Sequence, residues 1–368
     1  MIFRARRRLG RTGFVLAAFL LTRLLAVAAT HAGAALMTPE KIAQWKWIPD
    51  RDNLFPGAPP PPLLAPLVRW DANFYVSLTR DGYPPRHPGP NHHLAFFPLY
   101  PLLLRATRLN VFWAAFWVSN GCALLAALCV ARLVRRPADG LRAAVLFLAT
   151  PGAHFFAYPY SEALFAAALA ASLLLLRSER YLCAGLAGAV ASATRSPGVA
   201  AALALGTQAV LAVRTSVRVR ALGGASLALG GVGAFMAWCH FAQGDALAFV
   251  HLQAFHGRHL SLLGPVRAFF AFDCDPDYYL VSMAALFLAA RLVRRAPAWQ
   301  WVSAGFLVLL PMSTGTLQAM IRYQAANVPL VAGVPLLYRG KIFWRLAAAC
   351  CAWMCFEAFL YGKGIGHN

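Results

Sequence analysis

Apolar runs long enough to span or nearly span a bilayer recur along the whole chain, at about 13–30, 111–134, 143–158, 161–176, 182–194, 198–213, 222–241, 279–293, 300–317, 326–338 and 345–360. A soluble fold has no use for eleven such runs. The rest of the composition agrees: 60% of the residues are hydrophobic and 13% are charged, where soluble domains average about half and about a quarter. The expected fold is therefore an all-α polytopic membrane protein, a single integral domain over residues 1–368, with about eleven transmembrane helices. Several runs are short, so some of these helices are expected to tilt, break or cross only part of the bilayer.

The net charge of +21 raises nucleic acid as a partner, but the basic residues form short clusters between apolar runs rather than a continuous stripe. That is the pattern of membrane topology, so no nucleic-acid partner is expected. Arg4, Arg6, Arg7, Arg8 and Arg11 place the N-terminus in the cytoplasm. Alternating from there, the cytoplasmic loops fall at 135–142, 177–181, 214–221, 294–299 and 339–344, which hold or flank most of the remaining arginines. The acids Glu40, Asp50, Asp52, Asp71, Asp81, Asp245, Asp273, Asp275 and Asp277 fall on the opposite, external face. Residues 1–30 contain Arg23 and no clear small-residue cleavage site, so they read as a retained span rather than a cleaved signal.

The first external loop, about 31–110, is far longer than a connector needs to be, and long loops tend to be functional. It contains a Pro-rich strip (56–66), then "RWDANFYVSLTRDGY" (69–83), then "HHLAFFPLYPLLLR" (92–105). Leu67, Trp70, Phe74 and Leu78 recur at helical spacing, which predicts an amphipathic helix lying on the membrane face. Asp71 and Tyr75 share a different face of it. At the head of a helix, Asp71 suits two roles: a cap that favours the helix dipole, or a general base that takes the proton of a hydroxyl nucleophile. His92 and His93 diverge on a helix and make a weak metal signal. "AFFPLYP" reads as a re-entrant or interfacial segment.

Charges within or beside the spans are costly and therefore informative. Arg23 lies in the middle of the first run. Glu162 heads "EALF", Arg195 sits at the break in "ATRSPG", and Arg322 lies in "MIRYQAANVP". The topology puts Glu162, Arg195 and Arg322 on the same side as Asp71. Two arginines at headgroup depth suit a phosphate, or each pairs with Glu162. "DCDPD" (273–277) is either a solvated acidic turn or a divalent-metal pair. Seven of the eight cysteines fall in spans, no CxxC spacing occurs, and Cys274 stands alone outside. No protein-bound metal or cofactor is required by these signals, although a divalent ion at 273–277 stays open.

"WDANFYVSLTRDGY…HLAFFPLYPLLLR", with "YPYSEALF" (158–165) and "ATRSPG" (193–198), resembles the PIG-V mannosyltransferase family. The resemblance implies a GT-C glycosyltransferase with a large first external loop carrying an acid. It implies inverting transfer of mannose or another hexose from a polyprenyl-phosphate donor to a hydroxyl on a lipid or glycan acceptor. Asp71 matches the acid of the Trp-Asp block and becomes the catalytic base. Trp70, Tyr75, His92, His93, Glu162, Arg195 and Arg322 are the substrate-binding candidates. The short length and high Arg and Ala content point to a bacterial member in the inner membrane, with membrane lipids around it and its site facing the periplasm. Two other classes fit many spans with embedded charges: a transporter or flippase of lipid-linked sugars, and a non-catalytic subunit of a lipid-linked pathway.

Overall fold

A computed structural model describes residues 2–38, 59–86, 89–255, 257–272 and 274–365. Glu40, Asp50, Asp52, Asp273 and the start of the Pro-rich strip lie outside the described residues.

The chain is helical throughout what is described, with no strand among those residues. In order, the helices are α1 (Ile2–Ala35), α2 (Asp71–Asp81), α3 (Leu99–Ala106), α4 (Val111–Leu133), α5 (Pro137–Ala149), α6 (Glu162–Arg177), α7 (Tyr181–Thr194), α8 (Ala200–Leu211) and α9 (Thr215–Gln243). They continue as α10 (Ala248–Phe255), α11 (Gly264–Phe270), α12 (Pro276–Leu292), α13 (Ala298–Met312), α14 (Met320–Ala325), α15 (Val328–Leu337) and α16 (Gly340–Gly362).

By length and composition, four stretches among the described residues can cross a membrane: Gly10–Ala35, Val111–Leu133, Thr215–Gln243 and Gly340–Gly362. A fifth, α5 with the 3-10 turn Pro151–Ala157, is bent by 76°. Pro151 is the cause: it cannot donate the helix hydrogen bond, so the chain turns there. Shorter apolar helices at Tyr181–Thr194, Ser196–Leu211, Ala298–Met312 and Val328–Leu337 fill other runs of the sequence. Of the eleven apolar runs in the sequence, four or five thus form stretches long enough to cross, and others form shorter apolar helices.

Small residues let the long helices approach closely, as packing within lipid requires. A methyl added at Gly33 would meet the Phe359 carbonyl oxygen, and one at Gly362 would meet that of Thr30, so α1 and α16 touch backbone to backbone. The core is alanine-rich for the same reason. Ala123, Ala126, Ala127, Ala163, Ala166 and Ala170 are all fully buried, where α4 and α6 lie side by side.

Arg23, the mid-span charge of α1, is 6% exposed. Its guanidinium donates to the carbonyls of Ala153 (2.7 Å) and Leu148 (3.1 Å). These are backbone acceptors at the bend after α5, where the helical ladder is interrupted and carbonyls need donors from elsewhere. Arg23 thus satisfies a broken helix and takes no part in the charge cluster described below.

The segment 69–83 differs from the surface helix that its spacing predicts. Leu67 belongs to a separate 3-10 turn, Ala65–Leu67, and Trp70 precedes α2 rather than lying on it. Ala72, Tyr75, Val76 and Leu78 are buried, and Phe74 stacks on Phe96 with centroids 4.7 Å apart. Tertiary packing surrounds most of this helix, where the apolar periodicity alone indicates a single lipid-facing stripe. "AFFPLYP" leads from a 3-10 turn, His92–Ala95, into α3. The Asp275 and Asp277 carboxylates sit just before and within the first turn of α12, where negative charge suits the helix dipole.

Candidate active site

Four charged side chains from four separate parts of the chain meet at one end of the bundle. Asp71 is the first residue of α2, so its carboxylate projects from the helix start. It does not cap its own helix: the capping position is Trp70, which makes no side-chain capping bond. Instead its Oδ2 accepts a hydrogen bond from Arg322 Nη1 at 2.5 Å. Arg322 Nε lies 2.8 Å from Glu162 Oε1, an ion pair without hydrogen-bond alignment. The same Oε1 accepts from Arg195 Nη1 at 2.5 Å. Glu162 is therefore clamped between two guanidiniums, and it is 1% exposed.

Aromatic rings set the guanidinium planes. Arg322 lies over Phe155, Tyr160 and Tyr323 at 5.5–5.8 Å from their centroids, and Arg195 lies over Tyr323 at 5.5 Å. Such contacts favour a cation in a desolvated setting. Burial alone would lower the proton affinity of both guanidiniums. The neighbouring carboxylates outweigh it, Asp71 and Glu162 for Arg322 and Glu162 for Arg195, so both are held above the ordinary arginine value and stay charged.

Local backbone features place each group. The Tyr160 hydroxyl donates to the Arg69 carbonyl at 3.0 Å, and Tyr361 donates to the carbonyls of Leu67 and Arg69 at 3.1 and 3.2 Å. These bonds fix the approach to Asp71. Trp70 then turns the chain with φ 47° and ψ −122° while its ring packs edge-on against Tyr361 at 4.6 Å. Ala319, just before α14, is also left-handed, with φ 63°. A non-glycine residue in that region costs on the order of 1–3 kcal/mol and persists only where its surroundings over-determine it. The helices that carry Asp71 and Arg322 both begin on such a residue.

Arg322 has a further constraint. A methyl at Gly152 would fall inside contact distance of the Ile321 carbonyl oxygen. The bent 151–157 turn and α14 thus approach as closely as only glycine allows.

The sequence candidates divide accordingly. Asp71, Glu162, Arg195 and Arg322 come together. Tyr75 is 4% exposed, and its hydroxyl lies 2.5 Å from that of Ser161, which also accepts from Arg195 Nη1 at 3.2 Å. It supports the cluster from behind and does not face an open space. Trp70 flanks Asp71 and shapes the turn. His93 packs against Phe74 at 5.3 Å and reaches Ser77 Oγ at 3.4 Å. Neither His93 nor its neighbour His92 is brought into the cluster by any of these contacts. Ser161, Phe155, Tyr160 and Tyr323 were not legible as site residues. The only signal for them was their position beside Glu162 and Arg322 in sequence.

Glu162, Arg195 and Arg322 line a small cleft that Phe165, Pro197, Leu307 and Pro311 help to complete; Asp71 is not part of its lining and touches it only through Arg322. Its free space is about 10 Å³, about the volume needed to hold one water. Among the described residues, no three His, Cys, Asp or Glu side chains converge as a metal group. Chemically, the cluster offers one partly exposed carboxylate, Asp71, beside the first of two guanidiniums that share a buried one, Glu162.

Fold and site together define a polytopic helical membrane protein with a carboxylate–guanidinium cluster at one end of its bundle. Residues 58–214 match the family model "Mannosyltransferase (PIG-V)", and through this span the chain is PIG-V-like. It is 33% identical over 154 residues to GPI alpha-1,6-mannosyltransferase 2 of Mus musculus, and 32% identical to the proteins of the same name from Rattus norvegicus and Cricetulus griseus. Each match covers 37% of this chain but only 30% of the relative. An archaeal oligosaccharyltransferase from Archaeoglobus fulgidus, solved with an inhibitory peptide and a dolichol-phosphate, aligns loosely. Its TM-score is 0.45 at 10% identity, over 96% of this chain and 56% of that one. Asp71, Glu162 and Arg195 lie inside the family match, whereas Arg322 lies beyond it.

Proposed function

We propose that the protein is a membrane glycosyltransferase that moves a hexose, mannose by its family resemblance, from a polyprenyl-phosphate donor to a hydroxyl of a lipid or glycan acceptor. The carrying observation is the pairing of Asp71 with Arg322: a carboxylate that can accept a proton stands beside a cation that suits a phosphate. In the reaction, the acceptor O–H gives its proton to the Asp71 carboxylate. Its oxygen attacks the anomeric carbon from the face opposite the phosphate. The bond from that carbon to the phosphate oxygen breaks, the electron pair leaves with the polyprenyl phosphate, and the configuration inverts. Arg322 and Arg195 stabilise the leaving phosphate, and because Glu162 already holds them they need little reorganisation. Holding the donor and acceptor together supplies much of the remaining acceleration. The positive-inside distribution of arginines supports a site on the external, periplasmic side with the N-terminus in the cytoplasm.

The test is transfer of sugar from polyprenyl-phosphate-mannose to a panel of acceptors by purified protein in lipid, with and without EDTA. Asp71→Asn should lower turnover by roughly 10²–10⁴-fold while leaving the donor lipid bound. A transporter or flippase would instead move the lipid-linked sugar across the bilayer with little effect from this change. Transport at the wild-type rate in Asp71→Asn, without sugar transfer by either form, refutes the enzyme reading.

A further inference from the structure

Resting on the glycosyltransferase reading, a conflict in the cluster indicates how the site is controlled. Asp71 has to take a proton, yet its Oδ2 is held by Arg322 Nη1 at 2.5 Å. The oxygen that would take the proton is already occupied by the guanidinium N–H. The same guanidinium is the one placed to meet the donor phosphate. One cation faces two anions that need it at different moments.

The two ends of Arg322 are held unequally. Its Nε side faces Glu162, which is 1% exposed and also fixed by Arg195. Its Nη1 side faces Asp71, whose side chain is 31% exposed. The Asp71 contact is the one open to solvent, and solvent-exposed pairs are weak and readily exchanged. The cleft that Arg322 lines with Glu162 and Arg195 has only about 10 Å³ of free space, too little for a phosphate, so a phosphate has to meet Arg322 at its more exposed contact, the one with Asp71. Of the two carboxylates on Arg322, only Asp71 is open to solvent and so exchangeable for an incoming anion.

We infer that Arg322 is a latch on Asp71 and that the donor's own phosphate releases it. The guanidinium pivots about its Glu162 contact, and Nη1 passes from the carboxylate to the phosphate. Asp71 is then free to accept the acceptor's proton. The site therefore becomes a base only when a donor is seated, and the binding order is donor first.

The test uses polyprenyl monophosphate in nanodiscs as a non-reacting probe, titrated into wild type, Asp71→Asn and Glu162→Gln. In wild type the probe must displace Asp71; in Asp71→Asn it does not. Asp71→Asn should therefore bind the probe about 3- to 10-fold more tightly than wild type. Glu162→Gln removes the same charge from the same guanidinium but also loosens its brace, so its binding should weaken. Equal tightening in both variants reduces the effect to bare charge and overturns the latch. Unchanged or weaker binding in Asp71→Asn, or no binding in any form, also overturns it. The transfer assay stands apart. If wild type transfers sugar and Asp71→Asn fails to bind more tightly, the latch falls and the enzyme reading survives. If wild type transfers nothing, the enzyme reading falls whatever the titration shows.

Discussion

Two arginines, one buried and one partly buried, make an instructive pair. Arg23 and Arg322 look alike in sequence: each is a lone cation in an apolar stretch. Arg23 ends among backbone carbonyls at the bend after α5, and Arg322 ends between two carboxylates at a cleft. A buried cation facing only carbonyls completes interrupted secondary structure. One facing acids at an opening is available for chemistry. The turn Pro151–Ala157 lies between them, since Ala153 accepts from Arg23, Gly152 abuts Ile321, and the Phe155 ring underlies Arg322.

The comparison breaks most sharply in activity. Asp71→Asn should remove roughly 10²–10⁴-fold of turnover with an unchanged thermal midpoint, because the side chain is partly exposed and lies at the rim. Enzyme kinetics alongside thermal unfolding check both halves. Arg23→Met should do the reverse. It leaves two buried carbonyl acceptors without their donor and should cost about 2–4 kcal/mol of stability, with turnover per folded molecule largely kept. A large activity loss at full stability would place Arg23 in the site.

Gly152→Ala tests the turn itself. The added methyl has to push the Ile321 backbone away, carrying Arg322 with it. An overpacked contact costs about 1–3 kcal/mol, and misplacement of a catalytic group by about 1 Å can cost about 10²-fold in rate. This variant should therefore lose both stability and turnover, unlike either arginine partner alone.

The smallest effect is a pH dependence. Burial, then the neighbouring His92, lowers the His93 pKa below its usual 6.5, and Asp81 only partly offsets this. The folded protein therefore prefers neutral His93, and the unfolded chain binds the proton first as pH falls. The contribution to stability is complete above about pH 6.5 and is lost as pH drops through the lower folded value. His93→Gln should flatten the thermal midpoint between pH 5 and 7 without changing turnover. A steeper profile would contradict the assignment.

Much of the site was legible because membrane topology is legible. Alternating Lys/Arg clusters put Asp71, Glu162, Arg195 and Arg322 on one face, and those four do converge. What was missed depends on packing rather than pattern. Hydropathy cannot tell a helix that faces lipid from one that faces other helices. α6 is buried along most of its length and α9 is largely exposed, yet both are apolar. By the same ambiguity the sequence does not show that the Tyr75 hydroxyl meets Ser161. The left-handed turns at Trp70 and Ala319 leave no trace in sequence, since neither residue favours that conformation.

The cluster also bears on biogenesis. A nascent chain that has emerged only as far as residue 320 carries two acids, Asp71 and Glu162, with Arg195 as their sole guanidinium from this set. Translation of Arg322 supplies the missing charge, from beyond the stretch that resembles the family. The cluster's charge balance therefore closes only over a separation of 251 residues, and its last member is the last to be synthesised.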